Sequence, residues 1–334
     1  MTNRSHIPFQ IFWQKCGLIP PLSMERIRAG RNSEVHRISN PNGHWVLKKY
    51  HQHLQDKRDR LGTEFGFLTY LKNQDVTVVP RPIGMDHELH SALYTFITGR
   101  RPVAILSTHI TQAAQFIKTI NLARNGADAH ALPMAADACV SWRAHLELVA
   151  SRIDRLLGVS PNQELEIQVH RFVSDHLRPM WLRLQANLMK VLASSKINLP
   201  LPTDDRIISP SDFGFHNVLE SQDELFFLDF EYAGWDDPAK LICDFICQPE
   251  LPVTRAQGQQ FMEELMTEMD LRKTLKQRVK LLLPLHRLKW CCILLNEFKL
   301  EDRSRRLHAG LGSDGLLEEQ LSKAKSYFNT HFSA

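Results

Sequence analysis

Apolar and polar residues alternate through much of the first hundred positions, and beyond them apolar residues recur every three to four. The stretch 27–38 reads as two alternating strand segments joined by a small polar turn at Gly30. Pro41-Asn42-Gly43 is a turn signal, and the β-rich run His44 to Tyr50 follows it, so an antiparallel hairpin closing at Asn42-Gly43 is expected. From Asp59 to Lys72 the apolar positions Leu61, Phe65, Leu68 and Leu71 have helical spacing, with Glu64 set among them. Strand text resumes at Val76 to Val79, at Ile83 and at Leu93 to Ile97. Past Gly99 the pattern is helical at 110–123, 142–157 and 165–195, with breaks near Pro133 and at 158–161. Residues 207–230 return to loop and strand, and the chain is helical from Pro238 onward. This order predicts an α+β chain in two lobes. A small β-rich lobe spans 1–97 and a larger, mainly helical lobe spans 98–334 with a helical insertion at about 124–205, leaving a cleft where ligands collect.

Composition narrows the class. With 334 residues, 43% hydrophobic and 23% charged, the chain is of ordinary globular make-up and long enough to bury a sizeable core. No run of 18 apolar residues suggests a membrane span, and Met1 to Phe9 does not read as a secretory signal, so a cytoplasmic protein is expected. Six cysteines are too few for a disulfide framework. Cys243 with Cys247 and Cys291 with Cys292 lack zinc-site spacing and sit in Leu- and Ile-rich text, which favours small core hydrophobes. The net charge of +4 is uneven, with 14 basic against 8 acidic residues in positions 1–100 and a balance of −2 in the rest. A basic N-terminal third suits a polyphosphate ligand or a solvated face, and no aromatic-basic motif points to nucleic acid.

The chemistry concentrates in Ser209-Pro210-Ser211-Asp212-Phe213-Gly214-Phe215-His216-Asn217, followed by the apolar run ending in Leu228-Asp229-Phe230-Glu231. An Asp and an Asn five apart on a loop, with an Asp closing a strand beyond them, can converge on one hard cation. Phosphoryl transfer needs such oxygen ligands and a carboxylate to take the attacking hydroxyl's proton. His216 beside Asn217 reads as a loop-bracing residue. Lys48 and Lys49 are adjacent in one strand, so pleat register decides which points inward. Glu64 fits an ion pair or a solvated helix face.

With these residues in hand, the sequence resembles the aminoglycoside phosphotransferase and choline kinase group, relatives of the protein kinases, from about Gly30 to the end. The resemblance implies a protein-kinase-like fold, ATP and Mg²⁺ as cofactors, and transfer to a hydroxyl of a small acceptor. It implies Asp212 as catalytic base and Asn217 and Asp229 as metal ligands. It also implies Lys48 on the α/β-phosphates with Glu64 as its partner, the turn of Gly30, Asn32 and Ser33 over the phosphates, and Thr95, Phe96 and Ile97 as the adenine-pairing hinge. Two positions depart from the family pattern. Pro210 stands where the family has His, and Leu241-Ile242-Cys243 replaces an Asp-Leu-Ala helix start, with Asp244 a substitute to brace the catalytic loop.

Acceptor candidates are Glu231, Trp235, Asp236, Arg287 and Trp290; the helical Arg and Lys suit an acidic or phosphorylated acceptor, Glu231 and Asp236 an amine. Sugars, amino sugars and amino alcohols are the acceptor classes expected. A non-catalytic nucleotide-binding protein on the same fold is the competing reading, while a protein kinase is disfavoured because Asp229 leads into Phe230-Glu231-Tyr232 rather than an Asp-Phe-Gly segment.

Overall fold

The computed structural model describes residues 7–18, 23–27, 33–52, 58–193, 200–269, 271, 274–299 and 315–332. The N-terminal part is a five-stranded antiparallel sheet in the order β1-β2-β3-β5-β4, formed by β1 (Ser23–Ile27), β2 (Ser33–Asn40), β3 (Gly43–Tyr50), β4 (Pro82–Asp86) and β5 (Ser91–Thr95). The β2–β3 hairpin turns at the Asn42-Gly43 signal, and Gly43 takes φ 147°, a conformation that side chains rarely adopt. Val76 to Val79, which the β-branched run marks as a strand, is not one. Val76 N–H donates to the Leu71 carbonyl of α2 at 3.0 Å and the Val78 carbonyl accepts from Phe227 N–H of the later segment at 2.9 Å, so the run bridges α2 and that segment instead of joining the sheet.

Helix α1 (Ile7–Lys15) covers one face of this sheet, with Phe12 and Trp13 packed on Ile38, Leu47 and Leu93. Helix α2 (Arg60–Asn73), capped by the Asp59 carboxylate accepting from Gly62 N–H, covers the other. That division settles the pleat of β3. Leu47 lies with α1 and Lys49 stands over the Phe9 ring at 5.0 Å, while Val46 and Tyr50 belong to the core on the α2 side, so Lys48 points toward α2 and the cleft.

The remainder is helical apart from two short strand pairings. Here α3 (Ser107–Ile120), α4 (Ala127–His130), α5 (Trp142–Leu157), α6 (Glu164–Phe172) and α7 (Arg178–Ala193) precede β6 (Ile207–Ser209), β7 (Val218–Ser221), β8 (Glu224–Phe227) and β9 (Gly234–Asp236). Then come α8 (Pro238–Cys247), α9 (Arg255–Glu268), α10 (Thr274–Leu294) and α11 (Leu316–Phe332). Strand β6 pairs with β9, and β7 with β8. Among the described residues no helix is long and apolar enough to cross a membrane. Cys243, Cys247, Cys291 and Cys292 are buried and free, and burial pushes all four thiols up, Cys247 and Cys292 to about 12, as befits core hydrophobes.

A chain of aromatic rings carries the core through the cleft. Phe116 of α3 stacks on Phe227 at 4.1 Å, Phe213 lies 5.7 Å from both Phe227 and Phe245, and Phe245 of α8 stacks on Phe261 of α9 at 4.0 Å. Phe230 lies 5.0 Å from Phe67 of α2, which brings the N-terminal part into the same cluster. Asp212 and Asp229 each precede one of these rings, Phe213 and Phe230. Each such aromatic pair is worth roughly 0.5–1.5 kcal/mol beyond burial. Anchoring the next residue fixes the backbone that carries each carboxylate.

Candidate active site

The loop from Ser209 to Asn217 is built on a fixed base. Asn121, at the C-terminal end of α3, takes both main-chain groups of Ile208, accepting from its N–H at 2.8 Å and donating to its carbonyl at 2.9 Å. The Ser209 hydroxyl accepts from Ser211 N–H at 3.0 Å, and Ser211 adopts φ 69°. Asn217 donates from its side-chain amide to the Asp212 carbonyl at 3.0 Å, which leaves its amide oxygen as the acceptor end. Leu228 N–H donates to the Asn217 carbonyl at 2.9 Å, so Asn217 lies beside the segment that leads from β8 into Asp229. His216 Nε2 sits 3.3 Å from an Asp212 carboxylate oxygen, and the Asp212 side chain is 36% exposed.

Opposite that loop lies a buried charge cluster. Lys48 Nζ donates to Glu64 at 2.7 Å and to Asp229 at 2.8 Å, and it stands 2.9 Å from Glu231. Glu64 also accepts from the Tyr50 hydroxyl at 2.7 Å and from Phe230 N–H at 3.2 Å, so one carboxylate joins α2, β3 and the segment after Asp229. Glu231 accepts from the Ser33 hydroxyl at 2.5 Å and has Arg60 Nε 3.7 Å away. Burial lowers Lys48, but Asp229, Glu231 and Glu64 outweigh it and hold the ammonium well above its ordinary value. Burial raises Asp229; Lys48 opposes it, Glu231 and Glu64 add to it, and the group stands at about 7. Glu231 is also pushed up by burial, yet Lys48, Ser33 and Arg60 bring it below the ordinary value, so the two carboxylates are held in opposite directions.

Glu64, Asp229 and Glu231 place one ligand atom each within 4.8 Å of one another. That all-oxygen set, with the amide oxygen of Asn217 on the neighbouring loop, has the chemistry of a hard divalent cation site. Ser33 is buried at the base of β2, whereas Gly30 and Asn32 lie outside the described residues. At the other edge of the sheet, Thr95 ends β5, its hydroxyl accepting from Arg81 N–H at 2.8 Å, and Phe96 lies under the Arg37 guanidinium at 5.0 Å. Beyond Ile97 the chain runs against β7, with Arg100 and Glu220 exchanging main-chain bonds of 3.0 and 2.7 Å.

The acceptor candidates scatter. Glu231 is a member of the lysine cluster, 2% exposed, rather than part of an open acceptor wall. Asp236 is fully buried, accepting from Cys139 N–H and Asp237 N–H and pairing with Lys240 at 2.8 Å, so it has nothing left for a ligand. Trp235 donates to the Ala129 carbonyl and lines a pocket of about 220 Å³ with Arg124, His130 and Arg206. Trp290 is buried in α10, and Arg287 acts electrostatically on Cys247, Tyr327 and His331, on the side of α11. Asp244 does not brace the catalytic loop. It holds Lys240, His286 and Lys289, tying α8 to α10.

Two features escaped sequence reasoning. The first is a main-chain seam: Trp235 N–H donates to the Pro133 carbonyl at 2.9 Å, Ala135 N–H to the Trp235 carbonyl at 3.0 Å, and Ala136 N–H to the Tyr232 carbonyl at 3.1 Å. Gly234, at φ 157°, permits it, because a Cβ there would lie 2.3 Å from the Pro133 carbonyl oxygen. The second is Tyr232, whose ring lies 5.3 Å from the Arg58 guanidinium and 5.6 Å from that of Arg60. The only sequence signals were Gly234 itself and the Arg58-Asp59-Arg60 triplet.

Solved structures share this architecture. An ethanolamine kinase from Plasmodium vivax matches with a TM-score of 0.58 at 12% identity, over 95% of this chain and 85% of that one. A choline/ethanolamine kinase family protein from Mesorhizobium loti gives 0.56 at 15% identity, over 96% and 99%. A spectinomycin phosphotransferase, solved with ADP and spectinomycin, gives 0.57 at 13% identity, over 92% and 93%. At such identities the likeness establishes a shared protein-kinase-like fold. No curated protein sequence matches the chain. The family model for the APH phosphotransferases matches residues 23–268, about three quarters of the sequence, and the chain belongs to this phosphotransferase enzyme family.

Proposed function

We propose that this protein is an ATP- and Mg²⁺-dependent kinase that phosphorylates a hydroxyl of a small molecule, among sugars, amino sugars and amino alcohols. One observation carries the reading: Lys48 is buried between Glu64 of α2 and Asp229, with the Asp212–Asn217 loop bonded to Leu228, the residue before Asp229. The family membership and the neighbours' printed activities support the same reaction class.

In this reading Asp229 and Asn217 hold Mg²⁺, which supplies charge neutralisation at the phosphates. Lys48 binds the α- and β-phosphates, kept in place by Glu64. Ser33 lies over the phosphates, and the main chain of Thr95 to Ile97 pairs with adenine. Asp212 orients the acceptor hydroxyl and takes its proton as the oxygen bonds the γ-phosphorus. The bond from that phosphorus to the β–γ bridging oxygen breaks with its electron pair on ADP. His216, 3.3 Å from Asp212, fixes the carboxylate's direction. Asp212→Asn is expected to cut turnover by about 100- to 10,000-fold in an ATP-consumption screen over hydroxylated metabolites. Turnover equal to the wild type would remove Asp212 from this role.

A second reading, a nucleotide-binding protein without transfer, is favoured by Glu231. It engages Lys48 and Ser33 together, in the space where phosphates belong. That reading predicts thermal stabilisation by ATP with no ADP formed from any acceptor.

A further inference from the structure

Two tyrosine hydroxyls lie buried behind Lys48, and the mechanism above does not use them. Tyr50 ends β3 and Tyr94 lies in β5. The pleat places both on the α2 side of the sheet: Tyr50 alternates with Lys48 and Val46 along β3, and Tyr94 is the cross-strand partner of Val46. Their hydroxyl oxygens are 2.6 Å apart. Tyr50 donates to Oε2 of Glu64 at 2.7 Å, and the same oxygen accepts from Lys48. A carboxylate only accepts and a phenol has one proton to donate, so Tyr50, bonded to Glu64, must accept from Tyr94. The donors therefore run in one direction, from Tyr94 to Tyr50 to Glu64. Burial, and then the charge of Glu64, hold both phenols well above their ordinary value, so both stay protonated.

Lys48 has three carboxylates in reach, with Asp229 at 2.8 Å and Glu231 at 2.9 Å besides Glu64 at 2.7 Å. Glu64 stands on α2, so its place against the sheet depends on what the sheet offers it: Tyr50 from β3 and, through Tyr50, Tyr94 from β5. The Tyr50 ring also faces the Lys48 ammonium, 5.2 Å from ring centre to Nζ. We propose that Tyr50 and Tyr94 are positioning residues, whose hydroxyls hold the Glu64 carboxylate so that Lys48 stays directed at the α- and β-phosphates when Asp229 turns to the metal. The proposal rests on the nucleotide-binding part of the reading above and adds to it the residues behind the lysine. Tyr94 directly precedes Thr95, where the segment assigned to adenine begins. The same chain of bonds thus ties the base end of the nucleotide site to its phosphate end.

The test uses the full chain with Mg²⁺ and the variants Tyr50→Phe, Tyr94→Phe and the two combined. Phenylalanine keeps both rings, including the one facing Lys48, and removes only the hydroxyls. Affinity is measured by calorimetry for ATP and for adenosine, which lacks the phosphates. Tyr50→Phe is expected to weaken ATP about tenfold, in line with one hydrogen bond to a charged group, and adenosine by less than about twofold. Tyr94→Phe, acting through Tyr50, should weaken ATP about threefold and add nothing in the combined variant. In the ATP-consumption screen the same factors should appear in KM for ATP, with KM for the acceptor unchanged. A pair with only a structural duty would lower the melting temperature and leave ATP affinity at room temperature where it was. If Tyr50→Phe does not fold, Tyr94→Phe carries the test by its loss for ATP against none for adenosine. Unchanged ATP affinity, equal losses for ATP and adenosine, or additive losses in the combined variant overturn the proposal while leaving the kinase reading standing. Weakened ATP binding in variants of a wild type that turns over no acceptor supports it, and only the transfer part of that reading fails. A wild type with no affinity for ATP ends the reading and the proposal together.

Discussion

Two buried charge clusters lie close together in this protein and are built to opposite ends. In the cleft, Glu64, Asp229 and Glu231 face Lys48 and Arg60, three carboxylates against two cations. Behind it, Asp236, Asp237 and Asp244 face Lys240, Lys289 and Arg278, three against three. Burial pushes Asp229, Glu231, Asp237 and Asp244 up, and the cations decide the outcome. Asp229 stands at about 7, whereas Asp237 is held below its ordinary value, chiefly by His145 and Arg278, and Asp244 well below it by Lys289, Lys240 and His286. The cleft lacks positive charge and has the composition of a site that receives a cation. The rear network is balanced, and it locks α5, α8 and α10 to one another through His145, which bonds Asp237 and His286 at 3.1 Å each. Burial alone therefore does not distinguish a site from a strut; the charge balance does.

The largest expected effect lies in the balanced cluster. Asp244→Ala strands Lys289 and leaves Lys240 and His286 short of a partner, so urea unfolding at pH 7 should show a loss of about 3–5 kcal/mol with an unchanged slope. A loss below about 1 kcal/mol would remove the contrast between the clusters. The next effect is on pH. Burial lowers His145 and takes His286 to about 3, so His286 stays neutral in the fold, while an unfolded histidine takes up a proton near pH 6.5. The unfolded chain then binds more protons as the pH falls. Stability present above pH 6.5 should drop by up to about 1.4 kcal/mol per pH unit below it on account of His286. His286→Asn should flatten that slope between pH 6.5 and 5, and a wild-type curve already flat there would contradict the assignment. The smallest effect is in the cleft. Glu231→Gln removes one of the surplus negative charges while its amide oxygen still accepts from Ser33, and stability should move by no more than about 1 kcal/mol. A loss as large as that of Asp244→Ala would mean that the cleft too is a strut.

The sequence was most legible where information is local. The hairpin at Asn42-Gly43 and the helix of residues 142–157 follow from a turn dipeptide and from spacing, and the structure has both. The loop from Ser209 to Asn217 stood out because Asp212, His216 and Asn217, close together in nine residues, have no use in a core. Lys48 and Lys49 were not separable, because the residues that choose between them, Phe9, Phe12 and Trp13, belong to a helix more than thirty positions earlier. Glu231 looked like an acceptor group for the same reason: its partner Ser33 is 198 residues away. Asp236 did carry a local sign of its structural duty, a lysine four residues on in the following helix. The Val76 to Val79 run has strand composition but meets β8 through one main-chain bond only, and composition cannot supply a ladder.

The seam between residues 133–136 and 232–235 has a consequence for how such a protein changes over generations. Its three bonds are made by main-chain atoms alone, and its one strict demand on residue type is the missing side chain at Gly234. Side chains on the insertion can thus be exchanged without loosening its attachment to the segment that follows Asp229. A lineage could trade one acceptor for another by altering the lining of a wall whose fastening stays the same.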